Sequence, residues 1–232
     1  MNIFVSKQKD YFKELEDKYS LTLDKSKPVI IRLDGVGFSK WTSKNLEKPF
    51  DLQFSLIMNV CLEYLMTFTN QCVFGYTHSD EMSLLIDVSE NENSQLQYGG
   101  KLTKLCSIYS SVVTEMFNIH YSAPSHFDCR AFNLNSKEDI LEYFNWRRSD
   151  CIRNSVQQLA RDYFSHKVLQ NKSQKEMLEE LSNVNINWDT YLKDIHKYGT
   201  IIKKEEYLSL LTEKELERIP ISQIPKDKVV IR

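Results

Sequence analysis

The sequence predicts an α+β fold: a ferredoxin-like antiparallel sheet followed by a helical extension. Three observations carry this. Residues 28–134 read strand, helix, strand, strand, helix, strand, which is the split βαβ order. Two apolar runs, 72–76 and 82–87, flank a short polar turn, as in a β-hairpin. From about residue 137 helical sequence takes over. A chain of 232 residues suits one domain with an appendage, divided as 1–135, with an N-terminal helix, and 136–232, with a returning strand and a tail.

Residues 7–19 place Tyr11, Phe12, Leu15 and Tyr19 near helical spacing and predict a first helix. Pro28 opens the run Val29–Leu33, which ends at Asp34-Gly35-Val36-Gly37-Phe38; two glycines after a buried strand mark a turn where backbone can approach a ligand. Asp51 caps a helix to about Phe68, with Leu56, Val60, Tyr64 and Phe68 expected on one face. The hairpin tip is Thr77-His78-Ser79-Asp80-Glu81, and a polar loop covers 88–100. Lys101 to about Ile119 is helical, with Leu105, Val112, Met116 and Phe117 apolar; Phe127–Leu134 alternates as a strand. Ser136 with Asp139 forms a capping box for helices that run to Leu181, broken near 171–173. A turn at 183–187, a helix over 188–195, a strand over 198–202, a second capping box at Thr212 and Glu215 and an extended tail after Pro220 complete the reading.

Composition narrows the class. Hydrophobic residues make up 41% and charged residues 27%, with a net charge of −2, which is unlike a disordered chain. Twelve Tyr, twelve Phe and three Trp supply core volume. No apolar run reaches the roughly 18 residues of a membrane span, and MNIFVSKQKDYF turns charged too early for a secretory signal, so no membrane partner is expected. The five cysteines, 61, 72, 106, 129 and 151, are widely spaced without CxxC and read as buried thiols in a reducing, cytoplasmic setting. Five scattered histidines without HExxH give no zinc signature.

Asp34 ends one strand and Asp80 sits in the turn of the hairpin, whose strands are neighbours in a ferredoxin-like sheet. Alone, each acid is an ordinary turn residue. Together they can converge, and two carboxylates with a backbone carbonyl suit Mg²⁺, a hard cation that keeps waters and phosphates as further ligands. Two such ions ~4 Å apart would clamp an in-line displacement. Residues 34–39 also read as a turn whose N–H groups could cradle a phosphate, and Lys48, Lys101 and Lys104 could neutralise one.

The blocks IIRLDGVGFSKW, YTHSDEMSLLI, KLTKLCS, FDCRAFNL and WRRSDCIRNS, in this order over about residues 6–205, resemble the tRNA-His guanylyltransferase superfamily. The resemblance implies a polymerase-palm fold with a helical extension. It implies two Mg²⁺ held by Asp34, the Gly35 carbonyl and Asp80, with Glu81 as an acid beside them. It assigns Gly35, Val36, Gly37, Phe38, Ser39 and Ser79 to a nucleoside triphosphate site, with Arg32, Lys48, Lys101, Lys104 and Arg130, and more loosely Lys197, near phosphates. It implies ATP activation of a tRNA 5′-monophosphate, then attack by the 3′-hydroxyl of GTP or another nucleotide, and a homotetramer.

One stretch departs from the family pattern. Where its guanylyltransferases carry His-Ile-Asn-Asn after Trp-Arg-x-x-Asp-Cys, this chain has Ile152-Arg153-Asn154-Ser155. That favours the guanylyltransferase-like branch, which resembles template-directed 3′→5′ polymerases restoring truncated tRNA 5′ ends, over addition of a single guanosine to tRNA-His. The basic segment with Arg147, Arg148, Arg153, Asn154, Arg161 and Lys167, interleaved with Trp146, Tyr163 and Phe164, is the expected RNA-binding region; an ordinary solvated helix face is the equal alternative. A palm-fold nucleotide cyclase and a tRNA-binding module without catalysis stay open as rivals.

Overall fold

The computed structural model describes residues 3–88, 94–205 and 228–231. Its sheet has six antiparallel strands: β1 (Val29–Gly35), β2 (Cys72–His78), β3 (Glu81–Ile86), β4 (Phe127–Asn133), β5 (Thr200–Glu205) and β6 (Lys228–Ile231). Their spatial order is β4-β1-β3-β2-β5-β6. The first four strands reproduce the expected ferredoxin-like core, and β5 and β6 extend its β2 edge. The capping box expected at Thr212 and Glu215, and most of the tail, lie outside the described residues.

The helices are α1 (Ile3–Asp17), α2 (Phe38–Asn45), α3 (Leu52–Phe68), α4 (Leu102–His120), α5 (Glu138–Tyr163), α6 (His166–Leu169), α7 (Gln174–Asn183), α8 (Trp188–Tyr191) and α9 (Asp194–Tyr198). The Asp51 side chain accepts from the Phe54 N–H at 2.9 Å and starts α3 as expected. Ser136 and Asp139 exchange the reciprocal bonds of a capping box before α5. The first helix begins earlier than its apolar spacing predicts, and α2 is an element that the spacing did not predict. Helical structure breaks first at Phe164–Ser165, ahead of the expected break near 171–173.

Strand alternation sorts the sheet into two faces. Val29, Ile31, Leu33, Met82, Leu84 and Ile86 face α3 and α4, where they pack on Leu62, Leu65, Met66, Leu105, Tyr109, Val113 and Phe117. Ile30 and Leu85 face the other way and meet Tyr143 and Phe144 of α5. Helices therefore cover both faces: α3 and α4 belong to the βαββαβ core, and the first half of α5 closes the second side. The rest of the extension has its own small core of Val156, Leu159, Leu169, Met177, Leu181 and Leu192.

The expected apolar face of α3 is corrected. Leu56, Val60 and Tyr64 are 50%, 41% and 45% exposed, whereas Phe54, Ile57, Met58, Cys61, Leu62, Leu65 and Met66 are buried. The helix is apolar almost all round, so its periodicity does not select a face; the sheet does. The thiols of Cys61, Cys72 and Cys151 are buried, and Cys106 and Cys129 half-buried, none of them in a disulfide. Burial pushes Cys61 up to about 12 and Cys151 up to about 11, as for inert thiols.

Candidate active site

The register of the sheet gathers acids at one end. Asp34 lies opposite Glu81 of β3 and opposite Asp128 of β4. His78 pairs with Glu81, leaving Ser79 and Asp80 as a two-residue turn. Such tight hairpin turns demand a positive φ, and Ser79 supplies it at 49° without the freedom of glycine. Its hydroxyl donates to Asp80 Oδ1 at 2.9 Å. Asp80 then leans over Gly35: a Cβ on that glycine would stand 2.8 Å from Asp80 Oδ2 and 2.3 Å from the Phe38 ring. The absence of a side chain at Gly35 is what lets the turn close on the strand end.

The electrostatics are those of a site short of cations. Burial raises the Asp34 carboxyl, and the charge of Glu81 raises it further. Burial also raises Asp80, with repulsion from Asp34 next. Glu81 differs: burial pushes it up, but His78, Arg147 and Arg32 outweigh this and hold it below the ordinary range. Its Oε2 takes Arg32 Nη2 at 2.7 Å and Arg147 Nη1 at 2.7 Å. Arg32 Nη2 is also 3.7 Å from Asp34 Oδ2.

Among the described residues no three His, Cys, Asp or Glu side chains converge into a cage that would hold a metal by protein alone. Two destabilised carboxylates beside a strand-end carbonyl still fit Mg²⁺, which completes its shell with waters and phosphates. They do not fit zinc, which favours His and Cys ligands.

The remaining expected residues separate into groups. Gly37, with φ 68°, caps α2, so the N–H groups of Phe38 and Ser39 occupy a first helical turn, where intrahelical acceptors are absent. The Val36 N–H is already bound to the His126 carbonyl at 2.9 Å. The Phe38 ring is core, stacked on Trp41 at 5.2 Å; only its backbone can meet a nucleotide. Ser79 and Lys48 line a cavity with Thr42, Phe50, His78, Asn154, Ser155 and His196. Lys48 continues into a groove with Ser39, Gln158 and Arg161.

Two expectations fail on position. Lys101 and Lys104 begin α4, where Lys101 bridges Thr22. The far end of α4 carries Phe117, which touches Phe38 and Phe127. Phe117 is sixteen positions from Lys101 and thirteen from Lys104, at least about 20 Å of helical rise, so the fold does not bring them to Asp34. Arg147, expected to face RNA, is 2% exposed. Its aliphatic stem and fork sit under the hairpin because α5 lies across the sheet there, a relation invisible in helical periodicity. Lys197 is likewise consumed, by Asp189 at 2.8 Å and Asp194 at 3.0 Å.

The other basic residues stay on the surface. Arg148 is exposed and lies over the Tyr198 ring at 4.9 Å. Arg153 is 54% exposed and pairs with Asp150 at 2.6 Å. Arg161 and Lys167 are exposed. Arg130 stands opposite Arg32 across β1 and β4 and is 60% exposed beside Asp128. Asp128 was missed by the sequence reading; its place two residues from Arg130 on an alternating strand was the available signal.

Comparison with known proteins bears on the family and the fold. The family model described as tRNAHis guanylyltransferase matches residues 9–135. An uncharacterized protein of Acanthamoeba polyphaga mimivirus is 30% identical over 227 residues, covering 84% of this chain and 76% of that protein. The tRNA(His) guanylyltransferase of Schizosaccharomyces pombe is 30% identical over 137 residues, 55% of this chain and 51% of the enzyme, so the match spans about half of that relative. A bacterial tRNA(His) guanylyltransferase-like protein in complex with ATP superposes with a TM-score of 0.79 at 32% identity, covering 84% of this chain and 86% of the other. One in complex with GTP gives 0.79 at 27% identity, covering 97% and 90%.

Proposed function

This chain belongs to the tRNAHis guanylyltransferase family of nucleotidyltransferases, and on that premise we propose that it is a Mg²⁺-dependent, template-directed 3′→5′ nucleotidyltransferase that restores nucleotides at truncated tRNA 5′ ends. The observation that carries this reading is the convergence of Asp34, Gly35 and the Asp80 carboxylate at one end of the sheet.

Asp34, the Gly35 carbonyl and Asp80 would hold Mg²⁺, which supplies charge neutralisation to the triphosphate and lowers the pKa of the attacking hydroxyl. The protein's own task is positioning and charge stabilisation. Arg32 places positive charge beside Asp34, and Lys48 lines the same cavity as Ser79. The first turn of α2 offers N–H donors to phosphate oxygens. Ser79 holds Asp80 in orientation. ATP or GTP first activates the 5′-monophosphate, releasing pyrophosphate; the 3′-hydroxyl of the next nucleotide then displaces the activating nucleotide. No nucleophilic side chain is required, which agrees with the high pKa of the buried thiols.

The template-directed branch is supported by Ile152, whose apolar side chain cannot carry a proton or donate a hydrogen bond where guanylyltransferases carry His. Pairing with the opposite strand then selects the nucleotide. The exposed Arg153, Arg161 and Lys167 give the RNA backbone its counter-charges. A homotetramer, and a cytoplasmic location consistent with five cysteines outside any disulfide, belong to the same proposal; no described helix is long and apolar enough to cross a membrane.

One assay tests the reading. Labelled 5′-monophosphate tRNA, full-length or lacking its first nucleotide, is incubated with Mg²⁺, ATP or GTP for activation, and each nucleotide in turn. Template-matched extension of the truncated tRNA alone is the expected result. Guanosine addition to full-length tRNA-His regardless of template would replace it with the guanylyltransferase activity, and a cyclic product from ATP alone would replace it with a cyclase.

A further inference from the structure

Arg147 stands at the centre of a chain of charges that the reaction as proposed does not use. Exposed Arg153 pairs with Asp150 at 2.6 Å. Asp150 accepts from Arg147 Nη2, Arg147 Nη1 donates to Glu81 Oε2 at 2.7 Å, and Arg32 Nη2 reaches the same oxygen at 2.7 Å. The last member, Asp34, lies 3.7 Å beyond Arg32. The Trp146 ring lies over the Arg147 guanidinium at 3.7 Å and seals it from one side.

The sharing of one carboxylate oxygen by two guanidiniums has a consequence for Arg32. Without Arg147, Glu81 would keep only Arg32 and His78, whose Nε2 is 3.6 Å from Oε1, and would draw the Arg32 fork towards a bidentate pair, the preferred geometry of Arg with a carboxylate. With Arg147 supplying a second guanidinium, Arg32 gives Glu81 one nitrogen only, and that same nitrogen faces Asp34. Its Nε is buried without a hydrogen-bond partner, and its Nη2 side leans towards Asp34. A donor left open in this way is one that a ligand oxygen can satisfy.

We propose that Arg147 is a positioning residue: by neutralising Glu81 it leaves Arg32 free to meet a nucleotide phosphate beside Asp34. Glu81 is then an anchor for the two arginines rather than a metal ligand. The inference rests on the reading of Arg32 as a phosphate-contacting residue.

The test measures ATP affinity by calorimetry in Mg²⁺ without RNA, with folding checked by circular dichroism. In Arg147→Met, Arg32 is captured by Glu81, and ATP binds about tenfold more weakly, the worth of one charge-assisted hydrogen bond. In the double variant Arg147→Met, Glu81→Gln, the capturing charge is gone and affinity returns to within about threefold of wild type, still by that measure. A purely structural arginine would lower the melting temperature without changing ATP affinity, and its loss would not be repaired by removing a second buried group. Wild-type ATP affinity in the single variant, or no recovery in the double, overturns the proposal. If Arg147→Met does not fold, Arg147→Lys carries the test, since one ammonium cannot serve both Glu81 and Asp150; a loss of about threefold is expected there, and unchanged affinity overturns the proposal. Failure of the wild-type protein to bind ATP would overturn the nucleotide site itself, and this inference with it.

Discussion

Asp80 and Gly35 are in contact across the mouth of the sheet: a methyl group on the glycine would lie 2.8 Å from the carboxylate oxygen. It would also lie 2.3 Å from Phe38, whose ring is fixed among Trp41, Phe54, Phe117 and Phe127. Neither neighbour can yield cheaply. Gly35→Ala is therefore expected to cost about 1–3 kcal/mol of stability, as overpacking does. Nucleotide addition should fall about 100-fold through displacement of Asp80 by an ångström or less. Denaturant melts and single-turnover extension measure the two effects separately, and a stable variant with normal extension would contradict the contact.

Asp34 and Asp80 oppose one another in the metal-free protein. Because both carboxyls are raised in the folded state, the folded chain retains protons that the unfolded chain has released just above the ordinary carboxylate range. These groups add stability as pH falls through that window and withdraw it as pH rises through the folded values. Asp80→Asn should thus raise the melting temperature of metal-free protein at pH 7, with the advantage shrinking towards pH 4. Added Mg²⁺ should stabilise wild type more than the variant, and more at pH 7.5 than at pH 5.5, since binding needs the ionised acids. Extension activity should drop at least about 100-fold, the scale of losing a key electrostatic group. A variant less stable than wild type without metal would remove the argument.

Ser79 trades stability for orientation. Its φ of 49° costs a serine more than a glycine. Ser79→Gly is expected to gain about 1 kcal/mol of stability by relieving that strain. It loses the hydroxyl that holds Asp80 Oδ1, so kcat should fall about tenfold. Thermal melts alongside steady-state kinetics would reveal the opposed signs; a parallel change in both would not fit.

Arg161 lines the groove that runs from Lys48 along α5. If RNA follows this groove, Arg161→Ala weakens tRNA binding uniformly across sequences and reduces the slope of log affinity against log salt by about 1. Filter binding over a range of salt concentrations measures the slope. An unchanged slope would place the RNA elsewhere.

How much of this was legible beforehand differs residue by residue. The Asp34-Gly35 turn and the Ser79-Asp80 hairpin could be read because each is a local signal: glycines and acids at strand ends need only their neighbours to be interpreted. The capping residues Asp51 and Ser136 were legible for the same reason. The outward row of α3 was misread because an apolar helix offers several plausible faces. Lys101 and Lys104 were misplaced because a helix face says nothing about which end of the helix meets the site.

The sequence alone determined the strand order, the hairpin and the pair of carboxylates, since short-range pattern and register follow from chain connectivity. Only the tertiary structure decided that Asp128 flanks Asp34, that Arg147 is buried beneath Glu81, and that Lys48 and Arg161 share a groove. The first follows from the pairing of β1 with β4; the other two depend on how α5 crosses the sheet, and the crossing is set by packing between residues more than fifty positions apart, as Ser83 and Tyr143 show by meeting at 2.8 Å.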